Sequence, residues 1–278
     1  IRGWHHFGAG FVEIGTVTPR PQAANPGSII GRDIASQALW NRMGFPNQGA
    51  HVVRENLCEW RKQEVSSTEK RFPVFVNLGK QRETTLADAY RDYTGLIDFF
   101  SDSAKFVDSK PLADLFVINI SSPNTKGLRD LFARETLRVF LGPIAEHLNL
   151  HSRPGLLKLS PDMDDETMAN AVEIAIELDL DGFIATNTTA SRVNASAFPI
   201  EGGMSGAPLA PRSREVLEKL LRLMGEKRKG RLVVSAGGIL DGQEAAKRLA
   251  MGCDLVQTYS GLVFHGPRFF DRACRELA

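Results

Sequence analysis

Leu115-Phe116-Val117-Ile118-Asn119-Ile120-Ser121-Ser122-Pro123-Asn124-Thr125-Lys126-Gly127-Leu128-Arg129 is the stretch on which the reading of this chain turns. Its first four residues are apolar at consecutive positions, the pattern of a strand buried on both faces. Polar side chains then crowd together up to Gly127. A plain turn needs one or two such groups, with Gly or Pro at a defined place. Two asparagines and two serines at a strand end read either as a hydrogen-bonded Asx/Ser loop or as a grip on a small polar molecule. The stretch alone favours the loop; recurrence of the same event along the chain favours the grip.

The event does recur. Residues 11–15 form an apolar run ending in Thr16, and residues 72–76 a second one ending in Asn77-Leu78-Gly79-Lys80. The run at 155–159 is interrupted by Lys158, and 182–185 leads into Thr186-Asn187-Thr188-Thr189. Residues 231–235 end in Ala236-Gly237-Gly238, and 254–257 are followed by Tyr259-Ser260-Gly261. Between these runs the apolar residues fall at helical spacing. Examples are Leu86, Tyr90, Tyr93, Leu96, Ile97 and Phe100, or Val216, Leu217, Leu220, Leu221 and Met224. Ser160-Pro161-Asp162 reads as a helix start. Asp241 reads as the cap of a helix carrying Ala245, Ala246 and Leu249 and closing at Gly252, where Gly accepts a left-handed conformation.

Alternating strands and helices imply an α/β fold with a parallel sheet. A doubly wound sheet gathers its functional residues at a switch point, whereas a (β/α)8 TIM barrel uses the C-terminal ends of all its strands. Here each of seven runs ends, or nearly ends, in Thr, Asn, Lys or a Gly pair. The expectation is therefore one barrel domain over residues 1–278, with its first strand upstream of Ile1. Residues 18–47 read as a long connection. The density of Asn, Arg, Gly and aromatic residues near its end suits a loop over a binding site.

Composition removes several alternatives. At 278 residues with 42% hydrophobic content, the chain can bury a large core. A net charge of +1 gives no electrostatic case for nucleic acid. Cys58, Cys253 and Cys274 form no CxxC and no metal-spaced cluster, which suits a reducing compartment and no metal. No apolar run approaches the roughly 20 residues that span a bilayer. The opening Ile1-Arg2-Gly3-Trp4 reads like the middle of a longer chain, without a signal peptide. The mixed Lys/Arg/Glu region 212–231 reads most simply as a solvated face, with a weak membrane-surface role as the alternative.

Three features at the strand ends point to chemistry. Gly237-Gly238 and Tyr259-Ser260-Gly261 offer bare backbone N–H groups near helix starts, where barrels bind phosphate. Lys158 is costly to bury unless it meets a partner, an electron-rich ring or a phosphate at the mouth. The plainer alternatives are that it snorkels to the rim or pairs with a buried carboxylate. Asn41, Asn77, Asn119, Asn124 and Asn187 supply neutral donors and acceptors suited to a planar amide or imide. His5, His6, His51, His147, His151 and His265 all fall in helices or connections, and paired carboxylates are missing from the strand ends, so neither a Ser/His/Asp set nor an acid/base pair emerges.

Together the stretches GFVEIGTVTPRPQ, QALWNRMGF, VNLGK, INISSPNTKGLRDL, LLKLSPD, TNTTASR, GGMSGAPL, SAGGI and LVQTYSGLVFHGP resemble the class 2, quinone-linked dihydroorotate dehydrogenases over essentially the whole length. The resemblance implies FMN held by Thr16, Asn77, Asn119, Lys158, Thr186, Gly206, Gly238, Tyr259 and Ser260. It implies dihydroorotate or orotate bound by Asn41, Arg42, Met43, Gly44 and Phe45 together with Asn119, Asn124, Asn187 and Thr188. Ser122 matches the general base that takes the C5 proton while hydride leaves C6 for flavin N5. Cysteine at that place would mark the soluble class 1 branch. A serine hydroxyl is a poor base by its own pKa and needs a relay, for which Thr125 is the nearest candidate in sequence. Arg32 matches an arginine on the quinone side. The resemblance further implies de novo pyrimidine synthesis, a quinone acceptor, and peripheral attachment to a bacterial or mitochondrial inner membrane through an N-terminal helical pair. That pair, and the first-strand Ala-Gly-(x)2-Lys segment of the family, have no match in this chain. Two rival expectations are a flavin barrel using fumarate or NAD as acceptor, and a non-catalytic flavin- or phosphate-binding barrel.

Overall fold

A computed structural model of the chain describes residues 1–65, 71–122, 131, 133–192 and 198–277. In chain order the elements are α1 (Arg2–His6), β1 (Val12–Val17), β2 (Ile30–Asp33), β3 (Ala38–Asn41), α2 (Gly49–Val65), β4 (Val74–Leu78) and α3 (Ala89–Ser101). They continue with β5 (Leu115–Asn119), α4 (Arg134–Leu150), β6 (Gly155–Leu159), α5 (Asp165–Glu177), β7 (Gly182–Ala185) and β8 (Gly203–Gly206). The last are α6 (Ala210–Met224), β9 (Leu232–Ala236), α7 (Gly242–Met251), β10 (Leu255–Gln257), α8 (Ser260–His265) and α9 (Phe269–Leu277).

Seven strands form one sheet in the order β1-β4-β5-β6-β7-β9-β10, and every neighbouring pair is parallel. These are the seven apolar runs of the sequence. Successive residues of a strand face opposite sides, and the two sides here have different partners. Phe75, Val117, Leu156, Ile184 and Val234 pack with one another inside the sheet's curve. Val76, Phe116, Ile118, Leu157, Phe183 and Val233 join the layer beneath the helices, with Tyr93, Ile97, Leu141, Ile144, Val172 and Leu217. Both faces of the five central strands are therefore dry, which is why those runs read as nearly continuous apolar stretches. The edge strands β1 and β10 are only partly covered.

One side-chain contact measures how far the sheet curls. β1 and β10 are its two edges, six strand spacings apart, or roughly 29 Å if the sheet were flat. Yet Gln257 Nε2 on β10 donates to Glu13 Oε2 on β1 across 2.9 Å. The sheet is thus wrapped into a barrel wall. No strand of the described residues pairs with both edges.

The 18–47 connection is more ordered than the sequence suggested. β2 and β3 pair antiparallel, and β8 adds to β3 with Ala38 opposite Gly206 and Asn41 opposite Gly203. Each of these strands is four residues long, too short for periodicity to show. Their pairing joins segments more than 160 residues apart, and Trp40 Nε1 secures it by donating to Glu201 O at 2.6 Å. A second correction concerns α5. Asp164 caps this helix by accepting from Thr167 N, whereas Asp162 reaches the loop after β7, where Ala190 N donates to it at 2.8 Å. On α7 Ala245 is buried, whereas Leu249, which the sequence places on the same helix, is exposed.

Gly182 shows how tightly β7 and β9 approach. Its φ is +152°, and a Cβ there would lie 1.8 Å from Leu232 O. Gly182→Ala is expected to cost on the order of 3 kcal/mol through overpacking and backbone strain, seen as a lower urea midpoint. An unchanged midpoint would mean the two strands separate freely.

Candidate functional site

Moving two residues up each strand from the apolar interior gives a polar layer at the C-terminal mouth. Val117 is succeeded by Asn119, Phe75 by Asn77, Leu156 by Lys158, Leu255 by Gln257 and Phe11 by Glu13. Thr16 Oγ1 donates to Asn77 Oδ1 at 2.7 Å. Asn119 Nδ2 donates to the same oxygen at 3.1 Å and to Thr16 Oγ1 at 3.2 Å. Asn187 Nδ2 donates to Asn119 Oδ1 at 3.2 Å and to Ser121 Oγ at 3.0 Å. Five residues singled out from sequence (Thr16, Asn77, Asn119, Lys158 and Asn187) therefore belong to one network, which a set of unrelated turn residues would not form.

Lys158 has the carboxylate partner that sequence reading left open. Its Nζ donates to Glu13 Oε1 at 2.7 Å, and both side chains are about 15% exposed. Asn77 Nδ2 donates to the same oxygen at 2.5 Å. Burial alone pushes the Glu13 carboxyl upward. The Lys158 charge and the hydrogen bonds from Lys158, Gln257 and Asn77 outweigh it and hold the group below its ordinary value. Glu13, Gln257 and Ser121 are the site members that the sequence reading did not select. The signal for Glu13 was a lone carboxylate among Phe11, Val12 and Ile14, the mirror image of Lys158 in its own strand.

A second group of residues meets beside this layer. Thr258 Oγ1 donates to Ile239 O at 2.7 Å, joining the loops after β9 and β10. The Ser205 and Ser260 hydroxyls are 3.0 Å apart, joining β8 to the start of α8. Gly238, at φ +76°, lies so close to the start of α6 that a Cβ would be 2.5 Å from Ala210 N. Gly206, at φ +91°, lies against Gln37 O in the same way. Gly206, Gly238 and Ser260 thus share one glycine-lined corner, with Tyr259 exposed at its edge. Thr186 stands between corner and layer. Its N–H donates to Ala236 O at 2.8 Å and its hydroxyl to Asn187 O at 2.8 Å.

Behind the corner is a fully buried arginine. Arg248 Nη2 donates to Ser213 Oγ (2.7 Å), Gly237 O (3.1 Å) and Ala210 O (3.1 Å). Its Nη1 donates to Ser235 Oγ at 3.0 Å and its Nε to Glu244 Oε1 at 2.6 Å. Desolvation lowers the guanidinium pKa against the pull of Glu244. An arginine nevertheless stays charged.

The 41–45 segment leaves β3 over the mouth. Asn41 Nδ2 reaches Gly203 O at 3.4 Å, and Arg42 pairs with Glu201 at 3.1 Å. Met43 O accepts from Asn25 N. Gly44 and Phe45 both have positive φ. The Phe45 ring comes down to Gly79, whose Cβ position would be 3.0 Å from Phe45 Cε2 and 2.4 Å from Thr16 Cγ2. Thr188 N donates to Asn187 Oδ1 at 2.7 Å. Ser122 is buried at 4% exposure, three residues beyond the Asn119 hub. Asn124 and Thr125 lie outside the described residues.

Several polar residues are accounted for away from the site. Lys80 Nζ donates to the carbonyls of Gln81 (2.8 Å), Arg82 (3.3 Å) and Thr84 (2.6 Å), pinning a loop. His147 and His151 both meet Asp98 Oδ1, at 2.7 and 2.8 Å, and His5 and His51 lie against Phe72 and Phe99. Burial pushes the Cys253 thiol up to about 11, so it is protonated at neutral pH. Among the described residues no group of three or more His, Cys, Asp or Glu could hold a metal. The Arg212, Lys219 and Arg231 charges are paired with Glu215, Asp165 and Asp179, as expected of a solvated face.

The family model for dihydroorotate dehydrogenase matches residues 1–278. The chain belongs to the dihydroorotate dehydrogenase family. Relatives named dihydroorotate dehydrogenase (quinone) are 42% identical in Kineococcus radiotolerans, over 98% of this chain and 73% of that protein, and 37% identical in Alkalilimnicola ehrlichii, over 98% and 77%. The crystal structure of ligand-free DHODH from Eimeria tenella superposes with a TM-score of 0.86 at 30% identity, covering 97% of this chain and 77% of the other. The crystal structure of DHODH in complex with ferulenol from the same organism gives 0.85, also at 30% identity, over 99% and 75%. Members of the dihydroorotate dehydrogenase family with these structures are α/β barrels, in agreement with the wrapped parallel wall.

Proposed function

We propose that the chain oxidises dihydroorotate to orotate in de novo pyrimidine synthesis, with FMN as cofactor and a quinone as final acceptor. The observation that carries this reading is the amide layer of Asn77, Asn119 and Asn187, closed by the Lys158–Glu13 pair, at the same barrel mouth as Ser122. Family membership and the quinone-type relatives support it.

The donor set fits FMN. Amide groups that satisfy one another in a network also offer the donors and acceptors that an imide edge requires. Glycines at positive φ, crowded against the start of α6, leave room for backbone N–H groups to face a phosphate. Thr16, Asn77, Asn119, Lys158 and Thr186 would hold the ring, and Gly206, Gly238, Tyr259 and Ser260 the phosphate end. FMN, when bound, supplies a two-electron acceptor for the substrate.

The chain's own residues do the rest. Asn41 to Phe45, Asn119, Asn124, Asn187 and Thr188 orient the substrate ring. Asn119 belongs to both sets, because it is the hub of the layer. Ser122 takes the C5 proton. Its burial keeps bulk water from the transferring proton, and its hydroxyl works through a relay because its own pKa is far above neutral. A quinone acceptor places the working protein at a membrane surface. No helix among the described residues is long and apolar enough to cross one. Residues 1–278 would act as one FMN-binding domain.

An acceptor panel tests this reading. FMN-reconstituted protein given dihydroorotate is expected to reduce ubiquinone or menaquinone analogues and to leave fumarate and NAD untouched. Equal turnover with fumarate or NAD would assign the other acceptor class. Tight flavin binding without turnover on any acceptor would leave a binding scaffold.

A further inference from the structure

Among the described residues Glu13 is the one carboxylate in the ring-facing layer, its side chain 14% exposed, and nothing in the reaction sketched above uses it. Its strand is otherwise apolar on both sides of it, so isolated burial would be costly. Three donors from three different strands converge on it: Asn77 from β4, Lys158 from β6 and Gln257 from β10, at 2.5, 2.7 and 2.9 Å. A structural tie between two barrel edges needs only neutral groups. A charge brought to the centre of the layer and matched to the Lys158 ammonium does something more: it sets the net charge of this pair.

We propose, resting on the reading that this mouth holds FMN, that Glu13 is a positioning residue and counter-charge. It fixes the Lys158 ammonium in the layer and cancels its net charge, so that bound flavin is not over-stabilised in its electron-rich reduced form and passes electrons on readily to a quinone. Buried charges are screened little by salt, so removing this one leaves the layer with an uncompensated positive charge. Reduction places negative charge on the ring and is then favoured.

The test compares FMN-loaded wild type, Glu13→Gln and Glu13→Asp by spectroelectrochemical titration at pH 7, together with the FMN dissociation constant of each. Glu13→Gln keeps the length and an acceptor for Asn77 but removes the charge; Glu13→Asp keeps the charge on a shorter arm. Glu13→Gln is expected to raise the reduced-to-oxidised ratio at fixed potential at least tenfold, a positive shift of about 30 mV for a two-electron couple. Glu13→Asp should return the potential to near the wild-type value even if it binds FMN more weakly. A potential unmoved in Glu13→Gln, or moved equally by both variants, overturns the proposal while leaving the FMN reading intact. If Glu13→Gln fails to hold flavin, Glu13→Asp decides alone: a wild-type potential supports the counter-charge and a shifted one overturns it. Failure of the wild-type chain to take up FMN overturns the FMN reading and the proposal together.

Discussion

Replacing Ser122 with alanine is expected to lower the rate of dihydroorotate oxidation about 10²–10⁴-fold, the usual range for a positioned acid–base group, while FMN content and spectrum stay at wild-type levels. The two halves of this expectation have different structural reasons. Ser122 is buried just past the Asn119 hub, where loss of one hydroxyl removes little packing. Thr16, Asn77, Asn119 and Asn187 bond to one another directly, and Lys158 joins them through Glu13. The ring-facing layer should survive the change and only proton removal should suffer. Rapid-mixing measurement of flavin reduction separates the two. If the reductive half-reaction kept its rate in Ser122→Ala, another group would be the base.

Arg248→Met is expected to destabilise the protein by about 3–5 kcal/mol, the cost of leaving a buried ionic group without its partner, and to weaken FMN binding in parallel. Methionine fills much of the space but none of the roles. Ser213, Ser235, Gly237 O and Ala210 O would each lose a buried donor, and Glu244 would keep only Arg214, at 2.7 Å. The coupling to cofactor binding is the more telling part. Gly237 and Ala210 belong to the glycine-lined corner, so the guanidinium sets the angle at which the loop after β9 meets α6. Thermal unfolding of flavin-free protein gives the stability term, and fluorescence titration with FMN gives the binding term. A stability loss with unaltered FMN affinity would make Arg248 a core staple with no part in shaping the corner.

The fold was readable because its signal is repeated. Seven apolar runs, each with a polar ending, give the same message; the five central strands are buried on both faces, and the edge strands β1 and β10 are only partly covered. The three-stranded antiparallel sheet was not readable. Ile30–Asp33, Ala38–Asn41 and Gly203–Gly206 are too short to carry a period, and what makes them strands is pairing between distant segments. In the site, Asn77, Asn119 and Asn187 were visible as asparagines at strand ends, and their mutual hydrogen bonds follow from the curl of the sheet. Glu13 carries the same signal as Lys158, a lone charge inside an apolar strand, but its partners stand on β4, β6 and β10, which only the wrapped sheet brings to it. Sequence showed that Lys158 needed a partner but not which one, since β1 and β6 are distant in both sequence and sheet order. Only wrapping brings them to 2.7 Å.

The central claim is that this barrel mouth holds FMN and oxidises dihydroorotate, and an anaerobic visible spectrum tests it most directly. The purified chain, after incubation with FMN and removal of the free cofactor, should show the absorption of bound flavin and lose it on addition of dihydroorotate. A chain that emerges colourless, or a flavin band that dihydroorotate leaves unchanged, would contradict the claim.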